Sequence, residues 1–312
     1  MKILVTGGAG FIGSHIVDAT IEAGHDVAVI DDLSTGDRGW INPSARFYEV
    51  DIRDARLDEV FARECPEVVC HQAARANVRE SLDKPMLYAD VNVLGSLHIL
   101  ECCRRHGVRK IVYASTGGAV YGEPQVLPVT EDHPVNPLDP YGASKHHVEH
   151  YLYLYRHNFG IDFTILRYPN VYGPRQDPLG EAGVVSIFAM KMIEKGRPLI
   201  NGDGAQLRDF MYVTDVVQAN LKAFERGGGG IYNIGWGSGV SVNQVFDLLS
   251  PLTAYQGEKV HGSAKQGEVC KIYLDASRAR RDLNWTPATG LEEGLRRTVE
   301  FLHQRSCLNT QA

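Results

Sequence analysis

The chain has 312 residues, 44% of them apolar and 22% charged, with a formal net charge of −6, which is enough apolar material for a large core in two lobes and excludes a disordered chain. It carries no block of five or more like charges and no basic surface suited to a nucleic-acid backbone, and no apolar stretch approaches the roughly 20 residues of a spanning helix. Six cysteines, two of them adjacent at Cys102 and Cys103, do not make a disulfide framework, and a strand starting at Lys2 leaves no room for a signal peptide, so a reduced, cytoplasmic protein without nucleic-acid or membrane partners is expected.

In chain order, "KILVT" predicts a first strand and "FIGSHIVDATIEAG" an amphipathic helix. "HDVAVID", "RFYEVD", "EVVCHQAA" and "RKIVYAS" continue as strands, and "MLYADVNVLGSLHILECCRRHG" reads as one helix between the last two. A helix from about Tyr141 to Asn158 and a strand "DFTILRY" follow. This alternation predicts an α/β fold with a doubly wound parallel sheet. "NVYGPRQDPLGEAG" breaks the pattern near Asn170, and "RDFMYV", "GIYNIG" and "CKIYLD" then read as short strands of a smaller α+β lobe. Because "RDFMYVTDVVQANLKAFE" has the form of another strand and helix, part of this region is expected to return to the first lobe.

Chemistry concentrates in three places. "VTGGAGFIGS" sets Gly8, Gly10 and Gly13, or equally Gly7, Gly10 and Gly13, between a strand and a helix, where a backbone free of Cβ atoms can approach a pyrophosphate. Asp31 closes the second strand 18 residues past Gly13, placed to accept ribose hydroxyls. Asp31 and Asp32 would repel a 2′-phosphate, which favours NAD over NADP, with Arg38 the nearest cation that argues otherwise.

The second place is "YGASK", where helical spacing puts Tyr141 and Lys145 on one face, so that an ammonium can stabilise a phenolate. The third is "STGGAVYG", where a buried-looking strand ends in the hydroxyls of Ser115 and Thr116. "HHVEH" at 146–150 satisfies a zinc-enzyme pattern, but at about 100° per residue His146 and His150 face away from Tyr141 and Lys145. No metal site is expected.

"GGAGFIGS", "DDLSTG", "HQAA", "VYGEP", "YGASK", "LRYPNVYGPRQ" and "GDGAQLRDFMYVTDV" occur in this order, and through them the chain resembles the extended short-chain dehydrogenase/reductase family, within it the nucleotide-sugar 4-epimerases of the UDP-glucose 4-epimerase type. The resemblance implies an NAD-binding Rossmann domain over 1–169, a substrate-binding lobe over 170–312 with about 208–235 returning to the first domain, and a homodimer built from helices of that domain. It assigns Gly7, Gly10, Phe11, Ile12 and Gly13 to the pyrophosphate and Asp31, Asp32, Ser34, Thr35 and Gly36 to the adenosine ribose. Asp51 and Ile52 would flank the adenine. Gln72, Ala73 and Ala74 would line the path to the nicotinamide, with Tyr141, Lys145 and Pro169 around it. Asn170, Arg208 and Lys265 would meet the substrate's phosphates and Glu268 its uridine ribose.

Two departures stand out. Lys265 replaces the family's usual Arg, a point charge in place of a bidentate fork. The family's hydroxyl partner usually stands four residues before Tyr121, where this chain has Gly117, so Thr116 is the first choice and Ser115 the second. The implied activity is reversible, NAD-dependent inversion at C4 of a UDP-hexose, UDP-glucose and UDP-galactose first, through a 4-keto intermediate. The alternatives are a UDP-N-acetylhexosamine or UDP-uronate 4-epimerase, then a 4,6-dehydratase or decarboxylase, which place acidic residues beside Thr where this chain has Gly117 and Gly118, and last a non-catalytic NAD-binding regulator.

Overall fold

The computed structural model describes residues 1–178, 183–264 and 269–309. Apolar runs flanked by turn residues form the strands of one seven-stranded sheet: β1 (Lys2–Thr6), β2 (Asp26–Asp31), β3 (Arg46–Glu49), β4 (Val68–His71), β5 (Lys110–Thr116), β6 (Asp162–Tyr168) and, much later in the chain, β11 (Gly230–Asn233). Their order is β11-β6-β5-β4-β1-β2-β3, and every pairing is parallel. A parallel sheet is covered on both faces, which is why these strands are apolar throughout instead of alternating.

On one face, α1 (Phe11–Glu22) and α8 (Val213–Ala223) bury Ile16, Val17, Val213, Val216 and Val217 together with Trp285, which follows α10 (Ser277–Leu283). On the other, α2 (Arg56–Glu64), α5 (Gly95–Arg105) and α6 (Pro140–Phe159) bury Leu57, Phe61, Ile99, Leu100, Val148 and Leu152. Strand order reverses between β1 and β4, so the carboxyl ends of β1, β4, β5 and β6 open a crevice at this switch point. The glycine loop, "HQAA", "STGG" and "YPN" all follow directly on those ends.

Short strands and helices make the remaining lobe. β7 (Asn170–Tyr172) pairs with β10 (Phe210–Tyr212), β8 (Leu199–Asn201) with β13 (Val260–Gly262), and β9 (Leu207–Arg208) lies between β12 (Val240–Ser241) and β14 (Lys271–Ile272). α7 (Val184–Ile193), α9 (Val242–Leu252) and α11 (Leu291–Asn309) enclose its core around Phe188, Val245, Phe246 and Leu295. Among the described residues, no helix is long and apolar enough to cross a membrane.

One difference from the sequence expectation matters. The helix expected over 86–107 is α4 (Pro85–Tyr88), a π-helical segment (Ala89–Leu94) and α5, preceded by a further short helix α3 (Val78–Asp83). Hydrophobic periodicity does not register one extra residue in a turn. "GIYNIG" lies within the 208–235 stretch expected to return to the first lobe, and it supplies β11, the edge of the large sheet beside β6.

Candidate active site

The loop after β1 is built on backbone contacts that only glycine allows. A Cβ on Gly13 would stand 2.0 Å from the Gly7 carbonyl oxygen, and one on Gly7, whose φ is +71°, would stand 2.7 Å from the Ala73 amide nitrogen. Gly10 caps α1 with no side chain, and the first turn carries no acid, so the positive end of the helix meets the crevice without a competing anion. Asp31, nearly buried, accepts N–H bonds from Ala9 (3.0 Å) and Leu33 (2.9 Å). Burial raises its carboxyl above the usual range, those two donors oppose the rise, and Asp32 adds to it. Asp32 in turn accepts from Ser34 at both the amide and the hydroxyl, and the missing Cβ of Gly36 leaves room for Asp31 Oδ1. Gly7, Gly10, Gly13, Asp31, Asp32, Ser34 and Gly36 thus lie together beyond β1 and β2, an arrangement that could take the pyrophosphate and ribose of a dinucleotide, with Phe11 and Ile12 opening α1 and Thr35 between Ser34 and Gly36.

Around it, Asp51 is held by Arg53 through the backbone amide (2.8 Å) and the guanidinium. Ile52 packs where a Cβ on Gly95 would fall. Gln72 turns its amide towards Asn220 and Tyr168, and Ala73 and Ala74 follow it beyond the end of β4. Ala73 N–H donates to Thr6 Oγ (3.2 Å), which lies 2.7 Å from His71 Nδ1. His71 Nε2 lies 2.8 Å from Ser96 Oγ, whose hydroxyl donates to the Asn92 carbonyl (2.5 Å). With that hydroxyl committed, the imidazole donates from Nε2 and accepts at Nδ1. Burial, and secondarily the Lys145 charge, lower its pKa to about 3, so it stays neutral. Asn92, in the π-helical segment, passes the chain on to Ser144 (2.9 Å), which donates to the carbonyl of Tyr141 (2.7 Å).

Asp139 caps α6 by accepting from Gly142 N–H (2.7 Å). Tyr141 and Lys145 follow within the first two turns. The Tyr141 side chain meets that of Thr116, at the end of β5. Burial pushes Tyr141 up to about 12, the Thr116 hydroxyl pulls against it, and the Asp139 charge adds to the rise. Burial pushes Lys145 down to about 7, opposed by Glu149, and its ammonium lies 4.5 Å from the centre of the Tyr113 ring. By themselves, then, the two side chains favour their neutral forms, and a phenolate here depends on positive charge brought close to it.

Ser115, one residue earlier, faces the other way. Its hydroxyl donates to Glu149 (2.6 Å), which accepts Nε (3.0 Å) and Nη2 (2.5 Å) of Arg167. Arg167 reaches Tyr121 OH (2.9 Å), and Tyr121 donates to Asn233 of β11 (2.7 Å). Burial alone would raise the Glu149 carboxyl, yet bonds from Arg167, His146 and Ser115 bring it down to about 2. Adjacent residues on an extended strand point to opposite sides, so the structure brings Thr116 to Tyr141 and does not bring Ser115 there. His146 and His150 meet edge to face on α6, ring centres 4.8 Å apart, and His146 also reaches Glu149.

Gly117 and Gly118 separate in the same way. A Cβ on Gly117 would collide with Leu274 Cδ1 at 2.4 Å, whereas one on Gly118 would be in ordinary contact with Thr116 Oγ (3.8 Å) and Asn170 Oδ1 (3.9 Å). Only Gly118 borders the open crevice. Pro169 and Asn170 follow β6 beside it, since Gly117 N–H donates to the Tyr168 carbonyl (2.7 Å). Arg208, on β9, donates to the Leu207 carbonyl (2.9 Å) and reaches that of Cys270. Lys265 and Glu268 lie outside the described residues.

Sequence reasoning missed Glu149, Arg167 and Asp209. Two signals were available: Glu149 stands one turn past Lys145 on the same helix face, and Arg167 is a cation in the middle of an apolar strand, which needs a buried partner.

A profile of the NAD dependent epimerase/dehydratase family matches residues 3–235. The chain is similar to the UDP-glucose 4-epimerase of Mycolicibacterium smegmatis, with 41% identity over 98% of this chain and 100% of that protein. It superposes on the crystal structure of a Thermotoga maritima UDP-glucose 4-epimerase with UDP-glucose at a TM-score of 0.97, with 47% identity over 98% of this chain and 100% of that one. A Thermus thermophilus UDP-glucose 4-epimerase in complex with NAD gives a TM-score of 0.94 and 41% identity over 97% and 99% of the two chains.

Proposed function

Because the chain belongs to the NAD dependent epimerase/dehydratase family, we propose that it interconverts UDP-glucose and UDP-galactose by inversion at C4. The observation that carries this reading is that Thr116 at the end of β5 is brought to Tyr141, with Lys145 one turn further on, beside a glycine cradle. The residues after Thr116 are Gly117 and Gly118, so no carboxylate stands there for the extra proton transfers of a dehydratase.

Gly7, Gly10, Phe11, Ile12 and Gly13 would hold the pyrophosphate of NAD, Asp31, Asp32, Ser34, Thr35 and Gly36 its adenosine ribose, Asp51 and Ile52 the adenine, and Gln72, Ala73, Ala74, Tyr141, Lys145 and Pro169 the nicotinamide end. When bound, this cofactor supplies the acceptor and then the donor of the C4 hydride. Tyr141 takes the proton of the C4 hydroxyl as the hydride leaves and returns it after the 4-keto sugar has turned its other face, so the cycle has no net redox change. Thr116 donates to the same oxygen, and Lys145 supplies positive charge against the phenolate in a site of low polarity. Asn170, Arg208, Lys265 and Glu268 would hold the nucleotide.

The outer faces of the π-helical segment and α6 would join two copies into a dimer. Leu94, Tyr153, Leu154 and Phe159 are exposed at 50%, 63%, 45% and 52%, an apolar patch that a second copy would cover. Cys70, Cys102 and Cys103 are buried free thiols, in keeping with a reducing cytoplasm.

Incubation with UDP-glucose, followed by NMR of the sugar, tests the reading: UDP-galactose should accumulate to an equilibrium reached from either side. Faster turnover of UDP-N-acetylglucosamine or UDP-glucuronate would replace the substrate, and a 4-keto-6-deoxy product would replace the reaction.

A further inference from the structure

Between β9, which carries Arg208, and β10 stands one residue, Asp209, and it is 1% exposed. Its carboxylate accepts three backbone N–H groups, from Trp236 (3.1 Å), Gly237 (3.3 Å) and Leu274 (3.1 Å). Burial raises its pKa to about 6 against the pull of those three donors. A carboxylate withdrawn from water costs free energy unless its lone pairs are matched, and here the matching comes from the main chain. Gly235 serves the same arrangement, since a Cβ there would stand 2.6 Å from Asp209 Oδ2.

Each bond fixes a segment that borders the crevice. Leu274, held by its N–H, fills the space beside Gly117 and so backs the turn that follows Thr116. Trp236 and Gly237 open the loop that returns as β12, where Val240 pairs with Arg208. The main-chain carbonyl of Asp209 accepts from Asn170 N–H (3.0 Å). One side chain and its own carbonyl thus meet the segments carrying Arg208, Asn170 and Thr116.

We infer that Asp209 is a positioning residue for the nucleotide-sugar, an internal anchor that sets the spacing between Arg208 and Asn170 on the phosphate side and Thr116 on the sugar side; this rests on the proposed UDP-hexose substrate. The anchor calls for an acid. An amide has one acceptor and two donors, and however it turns, its NH₂ group faces at least one of the three N–H groups.

Asp209→Asn in the full-length protein is the test. It should raise KM for UDP-glucose and Kd for UDP, measured by titration calorimetry, about ten-fold or more, while kcat changes less than about three-fold and bound NAD is unchanged. Gly235→Ala, whose Cβ would fall 2.6 Å from the same carboxylate and 2.9 Å from the Leu274 carbonyl oxygen, should move KM and Kd in the same direction, and gives a second perturbation of the anchor should the Asn variant not fold. Val245→Ala, in the core of the same lobe, should lower the melting temperature without moving either constant. Wild-type Kd and KM in both Asp209→Asn and Gly235→Ala would overturn the role of Asp209, as would a KM rise of the same size in Val245→Ala. A wild-type protein that does not bind UDP would overturn the substrate reading and the anchor with it.

Discussion

Helix α6 carries two sets of ionisable groups one turn apart, and the two are prepared in opposite ways. Glu149 meets Arg167, Ser115 and His146, so its charge is matched within the protein. Tyr141 and Lys145 have no such matching: burial drives both towards their neutral forms, and Thr116 offers Tyr141 a hydroxyl without a charge. The first set stabilises the fold whether or not a ligand is present. The second is left electrically incomplete, which is the condition under which the charge of a ligand can change what a side chain does.

Removing the phenol should separate the two sets most sharply. Tyr141→Phe should cut kcat about a hundred- to ten-thousand-fold, with melting temperature and NAD content unchanged. A variant keeping more than about a tenth of wild-type kcat would take Tyr141 out of the mechanism.

On the matched side the effect should be on stability. Arg167→Met takes away the guanidinium that matches the buried Glu149, leaving it only Ser115 and His146, and should cost about 3–5 kcal/mol in denaturant unfolding. The acid side of the stability profile reports the same pair. A carboxyl held at about 2, below its ordinary 4.5, contributes stability that is present above pH 4.5 and is lost as pH falls towards 2. Wild type should weaken across that window and Glu149→Gln should weaken less; parallel curves would mean that Glu149 does not carry the acid sensitivity.

The two hydroxyls of β5 should divide along the same line. Thr116→Val is expected to lower kcat about ten-fold with little change in stability, and Ser115→Ala to cost about 1–2 kcal/mol of stability with kcat intact. The reverse result would exchange their roles. The smallest effect belongs to Asp139→Asn, which keeps an equally good helix cap but removes a charge that holds Tyr141 up. The acidic limb of the kcat profile should move to lower pH by less than about one unit; a move to higher pH would contradict the electrostatic assignment.

What could be read from the sequence was local. The glycine loop, the spacing of Tyr141 and Lys145 and the apolar strands each follow from residues within a few positions of one another, because a strand-turn-helix and one helical turn are short-range geometry. Partners across the sheet were not legible. Ser115 and Glu149 are 34 positions apart and Asp209 and Leu274 are 65 apart, and nothing in either neighbourhood names the other. The choice between Thr116 and Ser115 shows the limit: the strand makes them point apart, but which one faces the crevice depends on where α6 crosses β5.

The late arrival of β11 has a consequence for how the chain is made. When β6 leaves the ribosome its outer edge has no neighbour, and Gly230 is about 60 residues further on, roughly 3–12 s at ordinary rates of synthesis. Through that interval the nascent sheet exposes an unpaired edge, and the face that α8 and Trp285 will cover stays open. A chain stopped near residue 170 would carry the glycine cradle, Thr116, Tyr141 and Lys145 and still be unable to close the sheet that holds them.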